Sequence, residues 1–119
     1  MAQAPALIAL AAAKAVPAPE AADSKTLFRH GTMDIRWYRP PMPDDQDPHR
    51  RDELYVVAEG TGAFVRAGER FPCGPGDVLF VAAGVAHHFE DFTEDFGLWV
   101  LFWGPEGGEA AIGTLAKPA

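Results

Sequence analysis

The chain has 119 residues, 48% of them hydrophobic, and a formal net charge of −7. That length fits one domain with a real core, and the acidic balance gives no basic footprint for DNA or RNA, so nucleic acid is not expected as a partner. One cysteine, Cys73, excludes an internal disulfide and a cysteine-only zinc cluster, and suits a reducing, cytoplasmic setting.

The first 26 residues are rich in alanine and proline. The apolar run 6–13 is too short to cross a bilayer, and no positive residue precedes Lys14, so it is not read as a secretory signal and no membrane partner is expected. Alanine content predicts one short helix over 6–15, ended by Pro17 and Pro19. Residues 1–26 are therefore taken as a partly helical extension, either an ornament or a cover for the body of the protein or a partner subunit.

From residue 27 the pattern changes to short alternating segments with Gly and Pro turns. "MDIRWYR" (33–39) alternates, with Ile35 and Trp37 on one face. "PPMPDDQDP" (40–48) is an acidic loop. Strands are predicted over 53–60, 61–68, the start of 69–77, 78–84, 85–92 and 96–103. "GPEGGE" (104–109) stops the last of them, and 105–119 is a tail without signal. Short strands at even spacing predict an all-β sandwich or barrel over 27–104. The aromatics of these strands are expected first of all in the core. The strand "GLWVLFWG" carries large side chains on both faces; one face can enter the core and the other needs cover, which predicts a homodimer unless the N-terminal helix supplies it.

Chemistry concentrates at "DQDPHRRDELYVVAEG" (45–60). Side chains two and four apart on a strand share a face. An unbroken strand from Asp47 would put Asp47, His49 and Glu53 on one face, continued inward by Tyr55 and Val57. A buried imidazole and carboxylate need partners. The other histidine cluster is His87–His88. His88 has the opposite parity to His87 and is expected to face outward or to support the site from behind. Cys73, with no basic neighbour in sequence, is expected to be a packed thiol. Arg50 and Arg51 are expected to be solvated or ion-paired at the mouth.

The spacing resembles the cupin superfamily, small jelly-roll β-barrels marked by two motifs. In the first, G(X)5HXH(X)3–4E(X)6G, His49 matches the second histidine, Glu53 the glutamate and Gly60 the closing glycine. In the second, G(X)5PXG(X)2H(X)3N, Gly76, Gly84 and His87 match in "GDVLFVAAGVAH". The departures are Pro41 for the opening glycine, Asp47 for the first histidine, Ala82 for the proline and Asp91 for the asparagine.

The resemblance implies an all-β jelly-roll cupin barrel with a short N-terminal helical extension. It implies one divalent metal ion (zinc, iron, manganese or nickel) held by His49, Glu53 and His87. Asp47 is the candidate fourth ligand, with Gln46 in its place if Pro48 shifts the register. Tyr55, Arg51, Phe89 and Gln46 are the expected substrate-pocket residues, with Arg51 a contact for an anionic ligand. The implied function is a metal-dependent enzyme on a small oxygen-bearing substrate (dioxygenase, isomerase or lyase), or else a module that binds or senses a small molecule without catalysis.

Overall fold

A computed structural model describes residues 5–17 and 24–110. One helix, α1 (Leu10–Ala15), precedes eight strands: β1 (Ser24–His30), β2 (Met33–Tyr38), β3 (Asp52–Glu59), β4 (Gly62–Arg66), β5 (Glu69–Cys73), β6 (Val78–Val81), β7 (His87–Glu90) and β8 (Gly97–Trp103). They form two antiparallel sheets, ordered β1-β2-β8-β3-β6 and β5-β4-β7. The fold class is thus the expected all-β one, arranged as two facing sheets.

Each predicted strand is present within one to three residues. The strand that sequence reading missed is β1. Its run SKTLFRH has no clear alternation, and it pairs with β2 through an irregularity between Thr26 and Phe28. The predicted helix is shorter than expected. The helix begins only at Leu10, after an extended cap residue Ala9, and Pro5, Ala6 and Ile8 line an apolar groove with Phe28, Ile35, Trp99 and Leu101 on the outer face of the larger sheet. Burial of Ile8 against the sheet outweighs alanine's helix propensity there. Of the N-terminal extension, 1–4 and 18–23, including Pro19, lie outside the described residues, as does 111–119 of the tail.

The core is the space between the sheets. Tyr55, Val57, Leu98 and Val100 from the larger sheet meet Phe64 and Phe89 from the smaller one. The rings of Phe64 and Phe89 stand 5.9 and 5.0 Å from Tyr55, edge to face, an arrangement favoured by the ring quadrupoles. Two glycines are dictated by packing. Gly60 has φ +73°, and a Cβ there would lie 2.7 Å from the Phe96 backbone. A Cβ on Gly97 would run into the Trp37 indole. Among the described residues no helix is long and apolar enough to cross a membrane.

Candidate metal centre

The three histidine and glutamate positions converge from three separate elements. Glu53 is the second residue of β3, the strand hydrogen-bonded to both β6 and β8, where it lies opposite Val81 and Phe102. The pleat turns its side chain inward and buries it. His87 opens β7 on the facing sheet and is buried too. His49 comes from the loop before β3, whose backbone is clasped on both sides. The Gly84 N–H donates to the His49 carbonyl at 2.7 Å, and the Gly107 N–H donates to the Arg50 carbonyl at 2.7 Å. Beside them the buried Asp52 carboxylate accepts from the Ala83 N–H at 3.0 Å and the Glu109 N–H at 2.9 Å.

His49 Nε2 lies 3.4 Å and His87 Nε2 3.1 Å from Glu53 Oε1. One ligand atom from each of the three residues falls within 4.8 Å of the others. All three of these atoms are buried and have no hydrogen-bond partner. Buried polar atoms left unpaired cost roughly 1–3 kcal/mol each, and three in contact form a group that could hold a cation. His87 Nδ1 sits 2.8 Å from the Val85 carbonyl. A carbonyl only accepts, so Nδ1 carries the proton, and in the neutral ring Nε2 presents a lone pair toward Glu53. That is the tautomer that a metal-binding histidine needs. Two imidazoles and a carboxylate form a donor set suited to zinc, iron, manganese or nickel.

The charges respond accordingly. Burial lowers the affinity of His49 for a proton, although Glu53 opposes this. For His87 burial acts in the same direction, but the Glu53 carboxylate and the Val85 carbonyl outweigh it and hold its pKa above 6.5. Burial, together with the adjacent Glu53 carboxylate, pushes the Tyr55 hydroxyl well above its ordinary 10. Tyr55 is therefore a proton donor at any working pH.

A cavity of about 200 Å³ opens onto His49 and Glu53, lined also by Arg36, Tyr38, Gln46, Tyr55 and Phe102. The Tyr55 hydroxyl donates to Gln46 Oε1 at 3.2 Å. Gln46 Nε2 and the Tyr38 hydroxyl each donate to the buried Asp44 carboxylate at 2.8 Å, as does the Phe89 N–H. Phe102 stands edge-on to His49, its ring centroid 4.9 Å away.

Of the residues expected at a substrate pocket, the structure places Tyr55 and Gln46 on the wall of this cavity. Phe89 does not: it lies behind Tyr55 in the core, because the inward position on β7 next to the sheet centre is filled by packing rings. Arg51 is spent on the Thr32 carbonyl at 2.6 Å and borders only a shallower depression at the mouth. Asp47 is exposed in the loop and contributes no atom to the cluster. The strand begins at Asp52, so the alternation that would have aligned Asp47 with Glu53 has no strand to act through. His88 faces outward beside Glu90 at 3.4 Å, and Cys73 is a buried thiol. Sequence reading missed Arg36, Tyr38 and Asp44. The alternation of β2 holds the signal for the first two: Asp34, Arg36 and Tyr38 share the face opposite Ile35 and Trp37. That polar face, not the apolar one, turns inward.

Comparison with known proteins bears on the fold and the family. A protein of uncharacterised function from Streptomyces coelicolor is 41% identical over 63 residues, 53% of this chain and 60% of that protein. The chain therefore spans about 60% of the length of that curated relative. Among solved structures, a structural-genomics protein of unknown function from Rhizobium leguminosarum superposes with TM-score 0.65 at 18% identity, covering 85% of this chain and 98% of that one. Protein NMB1881 from Neisseria meningitidis gives 0.62 at 19% identity, covering 82% and 99%. A cupin 2 conserved barrel domain protein from Salinispora arenicola gives 0.54 at 19% identity, covering 68% and 74%. These likenesses are of fold. The cupin-domain family profile matches residues 41–101, just over half of the chain and the segment that carries all three converging side chains, and on that match the chain belongs to the cupin family.

Proposed function

We propose that the protein is a small metal-dependent enzyme acting on a compact, oxygen-bearing substrate. His49, Glu53 and His87 would hold one divalent ion. The observation that carries this reading is the convergence of three buried donor atoms without hydrogen-bond partners. Three protein ligands are the number found at catalytic rather than closed structural zinc sites. A bound ion of this kind supplies Lewis acidity to a substrate oxygen.

The chain's own groups do the rest. Tyr55 keeps its proton and donates it to Gln46 Oε1, beside the Glu53 carboxylate. Gln46 fixes that hydroxyl, and Asp44 fixes Gln46. Val100 and Phe102 give the cavity an apolar wall, which limits water around the reacting atoms. At about 200 Å³ the cavity is smaller than sites for drug-sized ligands, so the substrate is a molecule of few heavy atoms.

The second reading is a non-catalytic module that binds or senses a small molecule. It is favoured by the engagement of the carboxylates around the cavity. Asp44 accepts three hydrogen bonds and Asp34 is paired to two arginines. Among the described residues this leaves no separate general base lining the cavity. We propose further that two copies associate through the apolar outer face of the larger sheet, where Val78 and Phe80 are 60% and 43% exposed.

The test is elemental analysis of tag-free protein purified without added metal, followed by an activity screen with the metal recovered. About one equivalent of iron, manganese, nickel or zinc per chain is expected. Protein that neither retains nor takes up a divalent ion would end the metal reading. Turnover of small oxygenated substrates separates the enzyme from the sensor.

A further inference from the structure

Arg36 is a charged side chain on the inner face of a sheet, an expensive place for it. Its fork is only partly used. Nε and Nη2 donate to the two oxygens of Asp34 at 3.1 and 2.9 Å, and Nη1 donates to Ser24 Oγ at 3.1 Å. A guanidinium has five N–H groups, so among the described residues two remain uncommitted on a side chain that borders the cavity. Asp34 does not cancel the charge, because Arg29 pairs with the same carboxylate at 3.2 Å. Two guanidiniums share one buried carboxylate, and the cluster keeps a net positive charge. The nearby Asp44 is occupied by its three donors, as described above. Phe102 bridges the two ends of the cavity: the Arg36 guanidinium lies 5.5 Å from its ring centroid, and His49 packs against the same ring at 4.9 Å. Among the described residues lining the cavity, Arg36 is the one guanidinium, set at the other end from the Glu53 carboxylate.

We infer that the ligand of the cavity is a small carboxylate, its carboxyl group anchored by the two uncommitted N–H groups of Arg36 and its other oxygen function directed at the His49–Glu53–His87 centre. The inference rests on the metal reading of that centre and deepens it by naming the substrate class. A planar fork matches a carboxylate bidentately, and Asp34, by occupying the Nε edge, fixes the fork's orientation. Arg36 is on this account the specificity-determining residue.

The test is calorimetric titration of the full chain, zinc-loaded and EDTA-stripped, with glycolate, 3-hydroxypropionate and 4-hydroxybutyrate, each against its neutral primary amide. The series spans the unknown distance between anchor and centre. At least one acid is expected to bind wild type about tenfold or more tightly than its amide, as charge-assisted hydrogen bonds allow. That preference should fall to within about twofold in Arg36→Gln and survive only in part in Arg36→Lys, which keeps charge without the fork. Should Arg36→Gln fail to fold, the double substitution Asp34→Asn with Arg36→Gln removes both charges and replaces it. Acids and amides that bind wild type alike, or fail to bind at all, overturn the proposal. A preference that vanishes with EDTA but survives Arg36→Gln also overturns it and leaves the metal reading standing. An Arg36-dependent preference in protein that takes up no zinc upholds the carboxylate anchor and removes the metal reading.

Discussion

The two faces of the larger sheet are built from the same strands and differ in kind. The inner face presents Arg36, Tyr38, Glu53 and Tyr55 along with Val57, Leu98 and Val100. The outer face presents Ile35, Val56, Trp99 and Leu101, with Trp37 buried and packed edge-on to Trp99. An antiparallel sheet usually puts its apolar side chains in and its polar ones out. Here part of the pattern is reversed. The inner face can hold charge because each group has a partner: Arg36 has Asp34, Tyr38 has Asp44, and Glu53 has two histidines. The outer face can hold large rings because the N-terminal segment lies across part of it. Polarity inside marks the cavity beside Glu53, and apolarity outside marks what the chain must cover.

The largest effect should come from breaking the inner face at its centre. His87→Ala removes a donor from the facing sheet, and metal affinity should fall by about a thousandfold or more, read by competition with a chromophoric chelator, with loss of the metal-dependent gain in Tm. Metal uptake equal to wild type would reject the three-residue centre.

Breaking the outer face should cost stability without touching the metal. Trp37→Ala is expected to destabilise the fold by about 3–5 kcal/mol in urea titration, the range for large aromatics replaced in a core, with metal occupancy unchanged. Lost occupancy would show that the two faces are coupled. Phe80→Asp, at an exposed outer position, should convert the proposed dimer to a monomer by light scattering, with little change in Tm. A wild-type monomer at micromolar concentration would leave the cover to the N-terminal segment alone.

Acidity sharpens the inner half of the comparison. In metal-free protein the raised pKa of His87 means that its pairing with Glu53 stabilises the fold below about pH 6.5 and is lost as pH rises through the raised value. Metal must displace that proton, so metal affinity should run the other way and increase with pH. His49, whose pKa burial lowers, contributes the opposite slope around and below pH 6.5, so opposite signs are expected for Tm against pH above about 6.5: falling for the metal-free form, rising for the form at limiting metal. Parallel slopes would deny that proton and metal compete.

The smallest effect belongs to Asp47. Placed on the exposed loop, Asp47→Ala should alter metal occupancy and stability within about 0.5 kcal/mol, as surface substitutions do. A clear loss of metal would restore it as a ligand.

The sequence carried much of this in two forms. Gly-bounded alternation placed β2 to β8, and the spacing from His49 to Gly60 and from Gly76 to His87 linked the neighbouring pair His49 and Glu53 to the distant His87. What it hid follows from two limits. Parity works only within a strand. Asp47 lay before the first pleated residue, Asp52, and the argument carried over a loop containing Pro48 where no pleat exists. The same limit hid Asp44, whose place is set by the loop's course toward the Phe89 N–H. The second limit is that alternation marks two faces without saying which is inside. Apolar Ile35 and Trp37 drew attention away from Arg36 and Tyr38, and only the packing of the larger sheet against the smaller one decides the matter.

Glu53 and His49 belong to one side of the sandwich and His87 to the other. An ion held by all three would therefore be a rivet between two layers that otherwise meet there mainly through packed rings. Sheets joined only by apolar contact can part briefly at their margins and let water reach their backbone amides. β7 is an edge strand carrying one rivet ligand, so its amide protons should exchange with solvent more slowly when the ion is present. Those of β5, on the opposite edge of the same sheet, should be far less affected. Loading the centre would then change how the molecule breathes at one margin of the smaller sheet and leave the other margin as it was.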